Sequence, residues 1–279
     1  MDGKVCMITG ANSGIGLSTA KGLAKLGATL ILVCRNKEKG DKALREIQYE
    51  TQNDKIDLLL ADLSSQKSVR DLASSFKTKY DKLDVLINNA GTYCTKRTFT
   101  EDGIETTFAV NHLAYFLLSN LLLDDLKASS SSRIIIVSSG LERQGKINFD
   151  DLQCEKGYFF GYRAYSQSKL ANILFTYELA HRLAGTRITV NCLHPGFVKT
   201  NLIRTRRLIT FLLSPLQITP EKGAETSIYL ASSAEVEGIT GKYFASKKET
   251  KSSKGSYDES ISKRLWEVSA ELTKLELKE

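Results

Sequence analysis

The chain has 279 residues, of which 42% are hydrophobic, and it carries a formal net charge of +7. This length and composition allow one or two globular domains with a full core. The sequence contains no apolar run of the ~18–20 residues that a helix needs to cross a bilayer, and no signal peptide is visible. The basic residues are mostly dispersed, which is typical of solvated surfaces. Because no aromatic stacking platform accompanies them, nucleic-acid binding is not the favoured interpretation.

The first predicted strand, Lys4–Thr9, leads into glycines at positions 10, 14 and 16 and then into a helical pattern that ends at Gly27. Glycine permits a tight turn, and a helix N-terminus offers free N–H groups to a pyrophosphate. The spacing is G-x-x-x-G-x-G, so an ordinary strand-to-helix turn is the alternative. We expect this turn to contact a dinucleotide through Thr9, Gly10, Asn12, Ser13, Gly14, Ile15 and Gly16.

The second predicted strand, Thr29–Cys34, is followed by Arg35 and Asn36. A carboxylate at this place in dinucleotide folds holds the ribose 2′-hydroxyl of NAD, whereas arginine accommodates the 2′-phosphate of NADP. The pattern therefore favours NADP(H), with Arg35 and Asn36 as contacts. A basic helix start at the surface is the alternative.

The third and fourth predicted strands, Lys55–Ala61 and Leu83–Ile87, also end in polar groups. Asp62 and Leu63 follow the third strand, and Asn88-Asn89-Ala90-Gly91 follows the fourth. Ligands of open α/β sheets bind outside the carboxyl ends of the strands. We therefore add Asp62, Leu63, Asn89, Ala90 and Gly91 to the predicted cofactor contacts.

Tyr165 and Lys169 lie four residues apart in a predicted helix, so their side chains share one face. A nearby ammonium stabilises a phenolate and lowers the pKa of the phenol. The pair is a candidate acid–base catalyst. An amphipathic helix with a solvated lysine is the alternative, since this spacing often arises by chance.

Taken together, these motifs resemble the short-chain dehydrogenase/reductase family, in family order from residue 4 to about residue 245. Finer features are similar to its retinol dehydrogenase branch: Cys34-Arg35-Asn36, Asn148–Gln153, Ser168–Asn172, His194-Pro195-Gly196 and Leu265–Ser269. The motifs that carry the family resemblance are Thr9-Gly10, Gly14-Ile15-Gly16, Asp62, Asn88–Gly91, Asn111, Ser138-Ser139, Tyr165, Lys169 and Pro195-Gly196.

The resemblance implies a four-residue catalytic site. Tyr165 would exchange a proton with the substrate oxygen, Lys169 would support it and hold the nicotinamide ribose, and Ser139 would hydrogen-bond the substrate. Asn111 would hold a water that relays protons to Lys169. Alternatives stay open: Asn111 bonding backbone within a helix, and Ser138 in place of Ser139.

The family also implies that the segment after the strand Ile188–Cys192 closes over the nicotinamide through Pro195, Gly196, Val198 and Thr200. Residues 200–218 correspond to the substrate-binding loop, which we expect to form an apolar lid facing Tyr158, Phe159 and Phe160. Because this segment alternates apolar and basic residues, peripheral contact with intracellular membranes is a secondary hypothesis.

The predicted architecture is one doubly wound α/β (Rossmann) domain over residues 1–279, with a mostly parallel seven-stranded sheet and helices on both faces. Helices over 104–127 and 162–184 would flank the sheet and form a homodimer or homotetramer. The last strand would be Gly241–Ala245, and residues 256–275 would form a C-terminal helix with Ile261, Leu265, Trp266 and Leu272 inward. Five cysteines without C-x-x-C spacing fit a reducing, cytoplasmic location, and three scattered histidines predict no metal site.

The predicted activity is NADP-dependent interconversion of an alcohol and a carbonyl on a lipophilic substrate, with a retinoid as the first candidate. The alternatives are a steroid, prenol or other lipid carbonyl. A hypothesis from another class is a non-catalytic module that senses NADP and binds a partner.

Overall fold

The computed structural model describes residues 1–198 and 217–276. Its centre is one sheet in the order β3-β2-β1-β4-β5-β6-β7-β8. The first seven strands pair in parallel, and β8 is antiparallel to β7. The strands are β1 Val5–Thr9, β2 Thr29–Cys34, β3 Ile56–Leu60, β4 Val85–Asn88, β5 Ser132–Val137, β6 Ile188–His194, β7 Lys242–Ala245 and β8 Lys248–Glu249.

Helices cover both faces of the sheet. One buried cluster joins α1, α2 and α8 to the strands, and a second joins α3, α5, α7 and α9 to the other face. The described helices are α1 Gly14–Lys25, α2 Lys37–Thr51, α3 Gln66–Lys77, α4 Thr106–Phe108, α5 Ala114–Leu121, α6 Leu123–Lys127, α7 Tyr162–Arg182, α8 Pro220–Ser232 and α9 Glu259–Thr273. The predicted doubly wound α/β fold is therefore confirmed.

The predicted count of seven strands is one short, because β8 has only two residues. It follows β7 through a two-residue turn in which Ser246 and Lys247 have φ of 49° and 63°. In tight hairpins, turn positions with this left-handed backbone conformation are usually occupied by Asn-Gly or Asp-Gly. Ser-Lys lacks that signature, so the hairpin was not visible in the sequence.

The predicted helix over 104–127 is interrupted. After α4 comes a π-helical turn, Ala109–Leu113, and a further break at Leu122 separates α5 from α6. Single π-helical turns inserted into helices are frequent at functional sites. This one contains Asn111, and it changes where that side chain points relative to a regular helix.

The C-terminal helix α9 begins at Glu259, three residues after the predicted start at residue 256, because Asp258 caps it by accepting hydrogen bonds from the N–H groups of Ser260 and Ile261. Its inward residues are as predicted, with Leu265 and Trp266 buried. The Trp266 ring lies 4.9 Å from Phe116 of α5, centroid to centroid. The helix therefore covers part of the face formed by α5 and α7 within the same chain.

The strand order reverses direction between β1 and β4, which lie side by side. From β1 the connections lead to β2 and β3 on one side, and from β4 they lead to β5 and β6 on the other. A crevice therefore opens above the carboxyl ends of β1 and β4. The glycine turn after β1 and the Asn-Asn-Ala-Gly turn after β4 both lie at this edge.

Within residues 1–198 and 217–276, no helix combines the length and the apolar character that crossing a bilayer requires.

Candidate active site

The turn after β1 has no room for a side chain at two of its glycines. A Cβ on Gly16 would lie 2.3 Å from the carbonyl oxygen of Gly10. A Cβ on Gly10, whose φ is +68°, would lie 2.9 Å from Cα of Ala90. The backbone after β1 is therefore pressed against the turn after β4, and only glycine fits at these two positions.

The N-terminus of α1 lacks the side-chain cap that α2 and α3 have. Ser13 makes no capping hydrogen bond, whereas Asn36 and Ser65 cap the following two helices. The first turn of α1 also contains no acidic residue. The N–H groups and the partial positive charge at this helix end can therefore interact with a bound anion. The glycine turn after β1 and the N-terminus of α1 together form a cofactor cradle, and this cradle fits a pyrophosphate.

Thr9 joins β1 to the turn after β4. Its buried Oγ1 accepts hydrogen bonds from the N–H groups of Asn89, at 2.9 Å, and Ala90, at 3.0 Å. The Asn89 amide in turn donates to the carbonyl oxygen of Thr9 at 2.7 Å. Thr9 was predicted to contact cofactor, and the structure shows that its hydroxyl is occupied in holding the two turns together.

The residues after β2 and β3 face each other at the surface. The side chain of Arg35 is 76% exposed, and its Nη1 lies 3.9 Å from Oδ2 of Asp62. The other oxygen of Asp62 accepts from the N–H and the hydroxyl of Ser64. Asn36 caps α2 by accepting from the N–H of Lys39 at 2.9 Å. The guanidinium is therefore available to an anion, whereas the Asn36 side chain already has a structural role.

Tyr165 and Lys169 are both buried near the start of α7. The Lys169 Nζ lies 5.6 Å from the Tyr165 ring centroid and donates to the carbonyl oxygen of Val137 at 3.0 Å. Burial raises the pKa of Tyr165 to about 12, although a hydrogen bond with the Ser139 side chain acts in the opposite direction. Burial lowers the pKa of Lys169 to about 7.

The expectation that Lys169 lowers the pKa of Tyr165 is therefore wrong for the protein alone. Burial disfavours the charged form of each group, so the phenol keeps its proton at neutral pH and the amine is held close to its titration point. The pair is poised for proton exchange with a partner that enters the site.

The two serines after β5 have different partners. Ser139 interacts with the Tyr165 phenol and also caps the short 3₁₀ helix Gly140–Gln144 by accepting from the N–H of Leu141. Ser138 is buried and donates to the carbonyl oxygen of Lys169 at 2.7 Å. The structure therefore brings Ser139, rather than Ser138, to the phenol.

Asn111 is fully buried in the π-helical turn, and its side chain bonds to a loop. Its Oδ1 accepts from the N–H of Thr92 at 2.8 Å, and its Nδ2 donates to the Thr92 carbonyl oxygen and to Ser168, each at 3.0 Å. The amide of Asn111 thus binds backbone, as the alternative held, but in the loop after β4 rather than in its own helix.

The segment after β6 returns toward α1. Gly196 has a φ of +89°, and a Cβ there would lie 2.7 Å from Cδ1 of Ile218. Val198 forms an isolated parallel bridge with Ile218. A Cβ on Gly223 would meet both Val198 and Ile15, so the start of α8 lies between them. Thr200 and the predicted lid, apart from residues 217 and 218, lie outside the described residues.

Two aromatic residues of the site, Tyr93 and Tyr115, were not predicted as functional, and a third, Tyr158, has a different role from the predicted one. The Tyr93 ring lies 5.2 Å from the Tyr165 ring, centroid to centroid. Tyr115 donates to the carbonyl oxygen of Ala90 at 2.6 Å. Tyr158, predicted as part of the apolar wall, instead directs its hydroxyl inward to Cys94 and Glu105. These roles depend on contacts between residues distant in the chain, so no local sequence pattern predicts them.

No cluster of three or more metal-binding side chains occurs among the described residues. His112 is buried against Ser269, with Nε2 and Oγ 2.9 Å apart, and His194 accepts from the N–H of Gly140. These two histidines have structural partners. All five cysteines are free thiols.

Comparison with known proteins gives a consistent picture. The short chain dehydrogenase family model matches residues 4–208. Mouse retinol dehydrogenase 14 is 46% identical over 96% of this chain and 85% of its own length. Human retinol dehydrogenase 12 is 45% identical over 98% of this chain and 87% of its own length.

Solved structures are also similar. An uncharacterised protein from Mycobacterium paratuberculosis superposes with a TM-score of 0.82 and 33% identity, covering 100% of this chain and 96% of its own. A short chain dehydrogenase from Shigella flexneri, in complex with NADP, superposes with a TM-score of 0.71 and 26% identity, covering 89% and 98% of the two chains.

Proposed function

The chain belongs to the short-chain dehydrogenase family and is an oxidoreductase acting on CH–OH groups, and from that premise we propose that it interconverts an alcohol and a carbonyl on a lipophilic substrate with NADP(H). The observation that carries the proposal is the group formed by the buried Tyr165 and Lys169 and the half-buried Ser139 at the carboxyl edge of the sheet. This group lies at the same edge of the sheet as the glycine turn after β1, which supports binding of a dinucleotide there.

The cofactor proposal depends on charge at two places. The uncapped N-terminus of α1 fits the pyrophosphate, and the exposed guanidinium of Arg35 fits the 2′-phosphate of NADP because its planar fork donates two parallel hydrogen bonds. The Shigella flexneri relative is described as a complex with NADP. When bound, the cofactor supplies hydride to a carbonyl carbon or accepts it from an alcohol.

The chain's own residues manage the proton. In the reducing direction Tyr165, whose pKa of about 12 keeps it protonated, donates to the carbonyl oxygen as that oxygen gains negative charge. Ser139 holds the same oxygen close to the phenol. Lys169, with a pKa near 7, can return a proton to the phenolate afterwards. In the oxidising direction each transfer is reversed.

The substrate proposal comes from the relatives and the surface of the site. The similar curated proteins are named retinol dehydrogenases, so a retinoid is the first candidate. The aromatic wall proposed from the sequence retains Phe159 and Phe160, which are each 71% exposed. A steroid, prenol or other lipid carbonyl is the alternative substrate.

The test uses purified protein with NADPH or NADH and a panel of aldehydes and ketones, including retinal. We expect Tyr165→Phe to lose nearly all turnover while its NADPH Kd stays within about twofold, because the ring is kept and only the hydroxyl group is removed. Tyr162→Phe, a change to an exposed tyrosine one turn earlier, should be active. Full turnover by Tyr165→Phe would refute the catalytic assignment, and an inactive wild type that still binds NADPH would favour the sensing module.

Cofactor preference has its own test. Arg35→Ala should raise the Kd for NADPH at least ~tenfold and leave the Kd for NADH nearly unchanged, because only NADPH has the 2′-phosphate. An equal change for both cofactors would contradict this role of Arg35.

Three further expectations remain proposals. We propose that residues 1–279 act as one catalytic domain, that the chain assembles as a homodimer or homotetramer, and that it is cytoplasmic with peripheral membrane contact through residues 202–218. Light scattering measures the assembly. Flotation with anionic vesicles tests the membrane contact, and the absence of binding would remove it.

A further inference from the structure

The segment just before α7 has an unusual backbone. Phe159 and Phe160 both have positive φ, 47° and 54°, and they lie between Gly157 and Gly161, whose φ values are also positive. Bulky residues adopt this region only when surrounding contacts hold them there, and such strain is concentrated at ligand clamps and active sites. The contacts that hold this segment therefore matter to the site that begins five residues later.

Tyr158 is the residue that ties the segment down. Its hydroxyl group lies within hydrogen-bond distance of two acceptors, the carbonyl oxygen of Cys94 at 2.9 Å and Oε1 of Glu105 at 3.0 Å. Gly161 adds to this contact, since a Cβ there would lie 2.1 Å from the Cys94 oxygen. The segment before α7 is thus pressed against the loop after β4.

The side chain of Glu105 is fully buried, and both of its oxygens accept hydrogen bonds within the protein. Its two oxygens accept from the N–H groups of Thr107 and Phe108, at 2.9 and 2.8 Å, and thereby cap α4. Its own N–H donates to the Gln153 side chain at 2.7 Å. One acid therefore connects the helix that leads to Asn111 with the segment that leads to Tyr165.

Tyr93 is the residue whose place depends on this connection. It directly precedes Cys94, and its ring lies 5.2 Å from that of Tyr165. A Cβ on Gly161 would also lie 3.2 Å from Cε1 of Tyr93. The Tyr93 ring therefore lies between the Tyr165 phenol and the segment that Tyr158 anchors.

We propose that Glu105 and Tyr158 form a latch that positions Tyr93 beside Tyr165 and holds Phe159 and Phe160 next to it, and that this aromatic arrangement determines the preference for long apolar carbonyl substrates. The inference rests on the proposed oxidoreductase function. Glu105 and Tyr158 are positioning residues, because they act through the loops that they join. A short carbonyl needs only Tyr165 and Ser139, whereas a long one also contacts the aromatic rings.

The test compares wild type with Tyr158→Phe, which keeps the ring and removes the hydroxyl. With NADPH saturating, we expect the KM for a long substrate such as retinal to rise about tenfold, while kcat, the KM for a short aldehyde and the NADPH Kd each stay within about twofold. Tyr162→Phe is the matched control and should leave the ratio of the two KM values unchanged.

Glu105→Gln provides the second variant, because it keeps one side-chain oxygen, replaces the other acceptor with an NH2 group and removes the charge. If the two residues act as one latch, Tyr158→Phe should add little to the KM ratio in the Glu105→Gln background. Independent, additive effects of the two substitutions would overturn the latch.

Hydrogen–deuterium exchange gives a readout that does not depend on turnover. We expect Tyr158→Phe to speed exchange in residues 92–97 as well as in 155–161, since the latch joins both loops. Faster exchange in neither loop, or an equal rise of both KM values, would overturn the proposal. Inactive wild type would instead refute the proposed function, and the exchange result would then still decide whether the latch joins the loops.

Discussion

Replacing Lys169 with methionine would test how strongly burial controls this site. The Lys169 side chain is 3% exposed, and its Nζ donates to the carbonyl oxygen of Val137 at 3.0 Å. Burial lowers its pKa to about 7. Methionine has a similar length without a charge, so Lys169→Met removes the titration while filling nearly the same space.

The sign and size follow from the difference between the folded and unfolded pKa values. An unfolded lysine titrates near ~10.4, so between about pH 7 and that value the unfolded chain binds more protons than the folded one. The free energy of unfolding of the wild type therefore rises with pH in this window. For a folded pKa of about 7, the contribution of Lys169 grows by about 2 kcal/mol from about pH 7 to about pH 9.

The assay is urea unfolding of the cofactor-free wild type and Lys169→Met at both pH values. Other titrating groups are common to both proteins, so they cancel in the difference between them. We expect wild type to gain about 2 kcal/mol on the variant between the lower and the higher pH. Lys42→Met, at an exposed position of α2, should show no such gain. A constant difference between wild type and Lys169→Met would refute the argument that burial holds this amine near neutrality.

Two further predictions concern the cofactor cradle. Gly16→Ala should raise the NADPH Kd at least ~tenfold in a fluorescence titration, because the new Cβ would meet the Gly10 oxygen at 2.3 Å; Gly255→Ala, where nothing lies within 4 Å, should bind normally. Thr9→Val should lower the free energy of unfolding by about 2–4 kcal/mol, because two backbone N–H groups after β4 lose their acceptor. Thr9→Ser keeps the hydroxyl group and should therefore retain most of this stability. Equal urea midpoints for wild type and Thr9→Val would contradict this account.

Most strands could be predicted because their signals are local. Most of the seven parallel strands are short, largely apolar runs followed directly by glycine or a polar residue, and Thr29–Cys34 was predicted with its observed bounds. The hairpin to β8 could not, because Ser246 and Lys247 carry no turn signature. The π-helical turn at Asn111 was equally hidden, since its neighbours continue a helical pattern.

The sequence by itself determined the order of strands and helices and the polar groups that end the strands, because periodicity and glycine spacing act over a few residues. Parallel pairing then brings those strand ends to one edge, and the family resemblance placed Tyr165 and Lys169 beside the glycine turn at that edge. Only the tertiary structure decided how each polar atom is occupied. Thr9 and Asn111 bond to backbone groups distant in the chain, and Tyr158 points inward to Glu105, because burial obliges a polar group to find a partner wherever the packed chain provides one.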